Sequence, residues 1–264
     1  MYRMLLGVWR YRFFILSSIK TEFRAKFIRS RLGGLWIILQ PLSQVLIFTF
    51  ILSAIMTAKL PGIGNRYGYS IYLMSGILGW SLFTEILSRC LTLFIDNANL
   101  LKKLAFPKIT LPLIVTGSAI VNNLFLFAAI FVIFGFLGHW PGMTLVWLPL
   151  VMLVNITLAL GLGLLLGVFN VFIRDIGQIV PIALQLLFWL TPIIYIISII
   201  PVQEQHWLVL SPLAPIIASY QDILLYNRSP EWVGLGITAL FSGLLLILAL
   251  VIFRKASPEM VDQL

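Results

Sequence analysis

"IRSRLGGLWIILQPL", residues 28–42, changes character at its centre. Arg29 and Arg31 stand on one side. Beyond Gly33 and Gly34 the chain turns apolar and, apart from scattered Ser, Thr and Gln, stays so to about Thr57. Some 20 apolar residues suffice to carry a helix through a hydrocarbon layer about 30 Å thick. A cationic segment abutting such a run marks the point where a chain enters a membrane.

The rest of the chain agrees. Of 264 residues 61% are hydrophobic and 10% charged, with a mean hydropathy of +1.05. Soluble domains carry about 25% charged residues, so this chain cannot cover its surface in water. Six stretches are long and apolar enough to cross: 34–57, 70–95, 111–138, 145–173, 178–200 and 233–253. They are continuous rather than alternating, and far longer than a spanning strand. The expected fold is therefore an all-α integral membrane protein with six transmembrane helices. Residues 207–225 are also apolar, but Pro212 and Pro215 interrupt them. Two short helices dipping into the outer leaflet, packed on protein, are one reading; a kinked seventh span is the other.

Charge sets the orientation. Arg3, Arg10, Arg12, Lys20, Arg24, Lys26, Arg29 and Arg31 precede the first span. Lys102, Lys103 and Lys108 follow the second, Arg174 the fourth, Arg254 and Lys255 the sixth. The opposite loops hold only Lys59, Arg66 and Arg228, which places both termini in the cytoplasm. The net charge of +9 is thus topology and lipid contact, and no nucleic-acid partner is expected. The basic residues from Lys20 to Arg31 also interrupt any signal-peptide core. Cys90 is the sole cysteine and admits no intrachain disulfide.

Within residues 10–31, Ile15, Leu16, Ile19, Phe23 and Phe27 share one helical face, beside a stripe of Lys20, Arg24 and Arg31. That pattern predicts an amphipathic helix lying in the cytoplasmic interface, with Lys26 snorkelling; a plain basic flank is the alternative. Gly33-Gly34 supplies the bend into the first span.

No enzyme signature is present: the P-loop and H-E-x-x-H patterns are both missing. His139 and His206 sit in different loops without a ligand set, so no metal is expected. Glu85 and Arg89 are the two charges well inside a span, four residues apart, and are expected to pair, with a proton relay as the other reading. Ala159, Gly163 and Gly167 repeat every four residues and predict a close helix contact.

Four segments occur in order: "RSRLGGLWIILQPL" (29–42), "NANLLKKLAFPKITLPL" (97–113), "NVFIRDIGQIVPIALQLLFWLTPIIYIISIIP" (170–201) and "SPLAPIIASYQDILL" (211–225). Together, over about residues 10–255, they resemble the membrane subunit of polysaccharide-exporting ATP-binding-cassette transporters of the type-2 class, most of all the O-antigen permeases. The resemblance implies a homodimer in the bacterial inner membrane with two separate nucleotide-binding ATPase subunits. ATP and Mg would be bound there and no cofactor by this chain. It implies a glycan on undecaprenyl pyrophosphate as substrate, a cytoplasmic coupling segment at 96–109, and short periplasmic gate helices at 202–226. Many such relatives carry Asn at the position of Ser211 and Arg at that of Gln221. Capsule or teichoic acid export, or a drug or small-lipid cargo on the same fold, are the alternatives.

A glycan offers hydroxyls and apolar CH faces, so its path wants aromatic platforms and few fixed charges. Trp36, Phe48, Phe188, Trp189 and Tyr195 are the candidate lining, against the alternative that they face lipid. In the coupling segment Asn97, Asn99, Lys102 and Lys103 are polar, while Leu100, Leu101 and Phe106 would plug a pocket on the ATPase and Pro107 ends the segment. Arg174 and Asp175 form a minor strut.

Overall fold

The computed structural model describes residues 9–28, 33–56, 67–103, 107–197 and 211–263. Arg29, Arg31, Phe106 and the stretch 198–210 lie outside the described residues. Among the described residues every regular element is helical. The first four helices are α1 (Arg12–Ile28), α2 (Trp36–Met56), α3 (Gly68–Asp96) and the six-residue α4 (Ala98–Lys103). Then come α5 (Thr110–Phe136), α6 (Leu148–Phe172) and α7 (Ile176–Leu190). Last are α8 (Ala214–Leu224), α9 (Trp232–Ala256) and α10 (Glu259–Gln263). Four helical segments have spanning length and composition: α3, α5, α6 with the 3-10 turn before it, and α9; α2 and α7 add shorter apolar stretches.

In lipid, helices gain nothing from hiding apolar surface from one another. Close backbone approach and interhelical hydrogen bonds hold them instead. α6 has both, lying between α3 and α9. A Cβ on Gly163 would stand 2.8 Å from Cys90 Cβ and 3.1 Å from Leu87 Cα, and one on Gly167 would strike the Cys90 carbonyl. On the opposite side Gly161 faces the backbone of Leu246 in α9. The close contact expected of Ala159, Gly163 and Gly167 is therefore a seam inside the chain, against α3.

Three buried asparagines lock the same region. Asn155 and Asn170 of α6 donate from Nδ2 to the carbonyls of Gly79 (2.8 Å) and Leu91 (2.9 Å), and Asn123 of α5 to that of Leu78 (2.9 Å). Each removes a polar group from hydrocarbon by giving it a backbone acceptor.

The stretch 178–200, expected as one span, is helical only to Leu190. Fifteen residues rise about 22 Å, short of a bilayer core. Pro192 has no N–H to continue the ladder, and the turn that follows is held by side chains. Tyr72 Oη donates to the carbonyls of Pro192 (2.9 Å) and Tyr195 (2.8 Å), Tyr69 Oη to Ile194 (2.8 Å), and Gln221 Nε2 to Pro192 (3.0 Å).

Of the two short helices read at 207–225, the described one is α8. Its eleven residues rise about 16 Å. Ile216, Ile217, Tyr220, Ile223 and Leu224 are all buried. The loop between α5 and α6 caps its far end: His139 Nε2 meets the Leu224 carbonyl at 2.7 Å, and Gly142 N–H donates to Asn227 Oδ1. Gly138 makes that loop possible, since φ is +69° there and His139 N–H donates back to Phe134 (2.9 Å), closing α5.

Candidate functional site

Phe48 of α2 and Phe188 and Trp189 of α7, three of the five aromatics expected to line a path, meet one another. The ring centroids are 6.2 Å apart for Phe48–Phe188, 6.4 Å for Phe48–Trp189 and 6.1 Å for Phe188–Trp189. Trp80 of α3, absent from the sequence expectations, joins them at 5.3 Å from Phe188. These separations are those of favourable aromatic pairs. Trp189 remains 56% exposed, so the cluster shows an open face. Tyr195 is not part of it: its hydroxyl donates to the Leu190 carbonyl (2.7 Å) in the turn after α7.

Trp80 also lines a cavity of about 640 Å³ between α2, α3 and α5. Trp36, Gln40 and Gln44 form the α2 wall; Ser81, Thr84, Glu85 and Arg89 form the α3 wall; Asn122 and Asn123 close it from α5. Gln40 and Gln44 were not singled out in the sequence, because two amides in a long apolar run read as tolerated exceptions. Their spacing of four residues was the available signal.

Glu85 and Arg89 lie at this cavity and pair as expected, but the closer partner of Arg89 is on another helix. Arg89 Nη1 is 3.6 Å from Glu85 Oε1, whereas Arg89 Nη2 meets Glu22 Oε1 of α1 at 2.7 Å. Glu85 takes its hydrogen bond from Asn122 Nδ2, and Ser118 Oγ donates to Glu22 Oε2 (2.8 Å). Glu22 therefore fastens α1 to two helices at once. Phe23 stacks on Phe125 (5.0 Å, 12°), and Ile19 fills the space a Gly117 side chain would need. Lys20 and Arg24 point outward, as expected. Leu16, on the apolar face expected to lie in the interface, is 61% exposed, while Ile19, Glu22 and Phe23 of the same helix meet α5.

At the end of α3, Asn97 caps the helix with Nδ2 on the Leu93 carbonyl (2.8 Å) and leads straight into α4. Asn99 and Lys102 are exposed. Leu101, expected to plug a partner's pocket, is buried in the chain's own core with Met260, because α10 packs on α4. Pro107 begins a turn whose carbonyl accepts from Thr110 N–H (2.9 Å) and starts α5. Lys108 Nζ reaches the Ser257 carbonyl just past α9. Arg174 and Asp175 are exposed in the joint from α6 to α7.

At the other end a groove of about 480 Å³ lies between α8 and α9, with Asp222 and Glu231 among its walls. Burial pushes the Asp222 carboxyl up to about 6; Arg228 opposes this and Glu231 adds to it. Among the described residues no group of His, Cys, Asp and Glu could hold a metal ion.

An all-helical bundle with several spanning helices, a polar cavity inside it and an exposed aromatic cluster alongside belongs to the class of membrane transport proteins. The family model for the ABC-2 type transporter matches residues 14–225. The chain belongs to that family, and it is a multi-pass membrane protein. It is 28% identical over 266 residues to the O-antigen export system permease protein RfbA of Myxococcus xanthus, covering the whole of both chains. To the protein of the same name from Klebsiella pneumoniae it is 28% identical over 238 residues, 89% of this chain and 88% of that one. To the polysialic acid transport protein KpsM of Escherichia coli it is 24% identical over 245 residues, 91% of this chain and 92% of that one.

Proposed function

We propose that this chain is the membrane subunit of an ATP-driven exporter that moves a lipid-linked polysaccharide of the O-antigen type from the cytoplasm to the periplasm. The observation that carries this reading is the open aromatic cluster of Phe48, Trp80, Phe188 and Trp189 beside an uncharged stretch of polar wall. Stacking faces beside amides suit a chain of sugar rings, which needs both an apolar surface for its CH faces and partners for its hydroxyls. Similarity to two RfbA permeases supports it, and the more distant likeness to KpsM makes capsular polysaccharide the second reading. In this reading the permease is a homodimer in the bacterial inner membrane, crossing six times: through α2, α3, α5, α6 and α9, and through α7 together with the turn that follows it. Two ATPase subunits carry ATP and Mg, and undecaprenyl pyrophosphate anchors the glycan. Asn99, Lys102, Arg174 and Asp175 face the ATPase, and α8 belongs to the periplasmic gate. Deleting the gene tests the whole: lipid-linked polysaccharide accumulates inside the cell, and failure to accumulate overturns the reading.

Orientation has its own test. The exposed basic residues Lys102, Arg174, Arg254 and Lys255 lie at the end where α4, α10 and α6 meet, which supports reading that end as cytoplasmic. A cysteine replacing Met143, 94% exposed at the other end, labels with an impermeant thiol reagent in spheroplasts. One at Asn99 labels only after permeabilisation, and buried Cys90 stays silent. The opposite labelling pattern inverts the topology.

The cluster itself predicts partial losses. An aromatic contact is worth about 0.5–1.5 kcal/mol, so Trp189→Ala slows glycan export about two- to tenfold while leaving the assembled complex at its normal level. Unchanged export in both Trp189→Ala and Phe188→Ala places the path elsewhere.

A further inference from the structure

Two features of the cavity between α2, α3 and α5 are left over once the aromatic cluster is assigned to the path. First, α2 is an apolar helix that carries two carboxamides one turn apart on the cavity wall. Neither the Gln40 nor the Gln44 side chain has a hydrogen-bond partner among the described residues. Both residues are exposed where they line the cavity, so their donors and acceptors are open to whatever enters it, and polar groups within a spanning segment mark sites of use. Asn123, on the α5 wall and 3% exposed, spends its Nδ2 on Leu78 and Ser81 and keeps its buried Oδ1 unpartnered. Second, the charge is already balanced. Among the described residues at this site the guanidinium of Arg89 is met by two carboxylates, Glu22 and Glu85. No cationic surplus remains for an anion.

The geometry points to a binding site for one neutral sugar ring of the passing glycan, held between Trp36 and Trp80 and hydrogen-bonded by Gln40 and Gln44. It is not a site for the diphosphate of the lipid anchor. Each carboxamide offers two N–H donors and an acceptor oxygen, the set that pairs with vicinal hydroxyls. The indole faces present the apolar, electron-rich surface that sugar CH groups cover. A phosphate would instead call for unpaired Arg or Lys, and among the described residues the one Arg lining the cavity is ion-paired with two carboxylates. The volume of about 640 Å³ holds a ring with its neighbours along a chain. This inference rests on the exporter reading given above.

The test uses the intact permease–ATPase complex in lipid nanodiscs and isothermal titration with two probes. One is the polysaccharide released from its lipid carrier by mild acid from the host cells; the other is inorganic pyrophosphate. The polysaccharide is expected to bind the wild-type complex. Gln40→Leu/Gln44→Leu is expected to weaken that binding at least about fivefold, as losing two hydrogen bonds requires. Pyrophosphate should not compete. Equal affinity in the double variant, or competition by pyrophosphate, overturns the proposal. If the double variant does not assemble, Gln44→Asn, one methylene shorter, is read the same way: weakened binding upholds the site and unchanged binding removes it. Should gene deletion leave no lipid-linked polysaccharide behind, the exporter reading falls and takes this site with it. Should deletion cause accumulation while the variants bind as wild type, only the site falls.

Discussion

Gly167→Leu is expected to leave almost no folded protein in the membrane. The glycine lies against the Cys90 carbonyl of α3, where even a single methyl group has no room. The obstacle is backbone rather than a side chain that can swing aside, so α3 and α6 must part along the seam that Asn155 and Asn170 also bridge. Overpacking costs about 1–3 kcal/mol where side chains can adjust, and here they cannot. Separation would also strain two hydrogen bonds with no water to replace them. Immunoblots of membranes, with fluorescence-detected size exclusion for folding, measure the loss. Gly243→Ala is the control. Nothing lies within 4 Å of a Cβ there, and alanine favours a helix by about 0.5–1 kcal/mol, so its level holds or rises. If Gly167→Leu accumulates like that control, the seam is not what holds the bundle together.

Arg89→Gln is the second large effect. It leaves Glu22 and Glu85 without the cation they share. A charge at the centre of a membrane helix costs roughly 2.5–3.5 kcal/mol. At these sites, about 30% exposed, the cost is a fraction of that. Loss of the tie between α1 and α3 adds to it. The informative comparison is the rescue. Combining Arg89→Gln with Glu22→Gln should restore protein level more than combining it with Glu85→Gln, because the 2.7 Å contact is to Glu22 and Glu85 keeps its bond to Asn122. Equal rescue by both partners would return the pairing to the helix-local one that spacing alone suggests. Normal protein levels with export abolished would instead point to a proton relay.

That spacing shows where the sequence was readable and where it was not. Gly163 and Gly167 could be placed in a close contact because a four-residue repeat of small side chains has one mechanical use in lipid. Their partner, α3 rather than a second subunit, could not be read, since periodicity names a face and not what covers it. Glu85 and Arg89 were paired by the rule for neighbours on one helix, which is blind to α1 arriving from 60 residues away. Glu22 stood in the sequence as one acid among many bases, and its signal was a cation in a span with too little local compensation. Phe188 and Trp189 stood out as aromatics, whereas Trp80 was lost in a helix rich in large side chains. The end of α7 at Leu190 was hidden because apolar residues continue past Pro192. Hydropathy does not register that Tyr69, Tyr72 and Gln221 satisfy the turn's carbonyls. The inward turn of Leu101 follows from α10, whose packing no local pattern announces.

α3 is 29 residues long and rises about 43 Å, with no proline along it. One end runs through Asn97 directly into α4. The other presents Tyr69 and Tyr72, whose hydroxyls grip the turn at Pro192–Tyr195. It is thus a straight strut held at both ends by the chain's own contacts. A stroke delivered to α4 along its axis would arrive at the far turn with its length preserved, with no relay of rearranging side chains between the two ends.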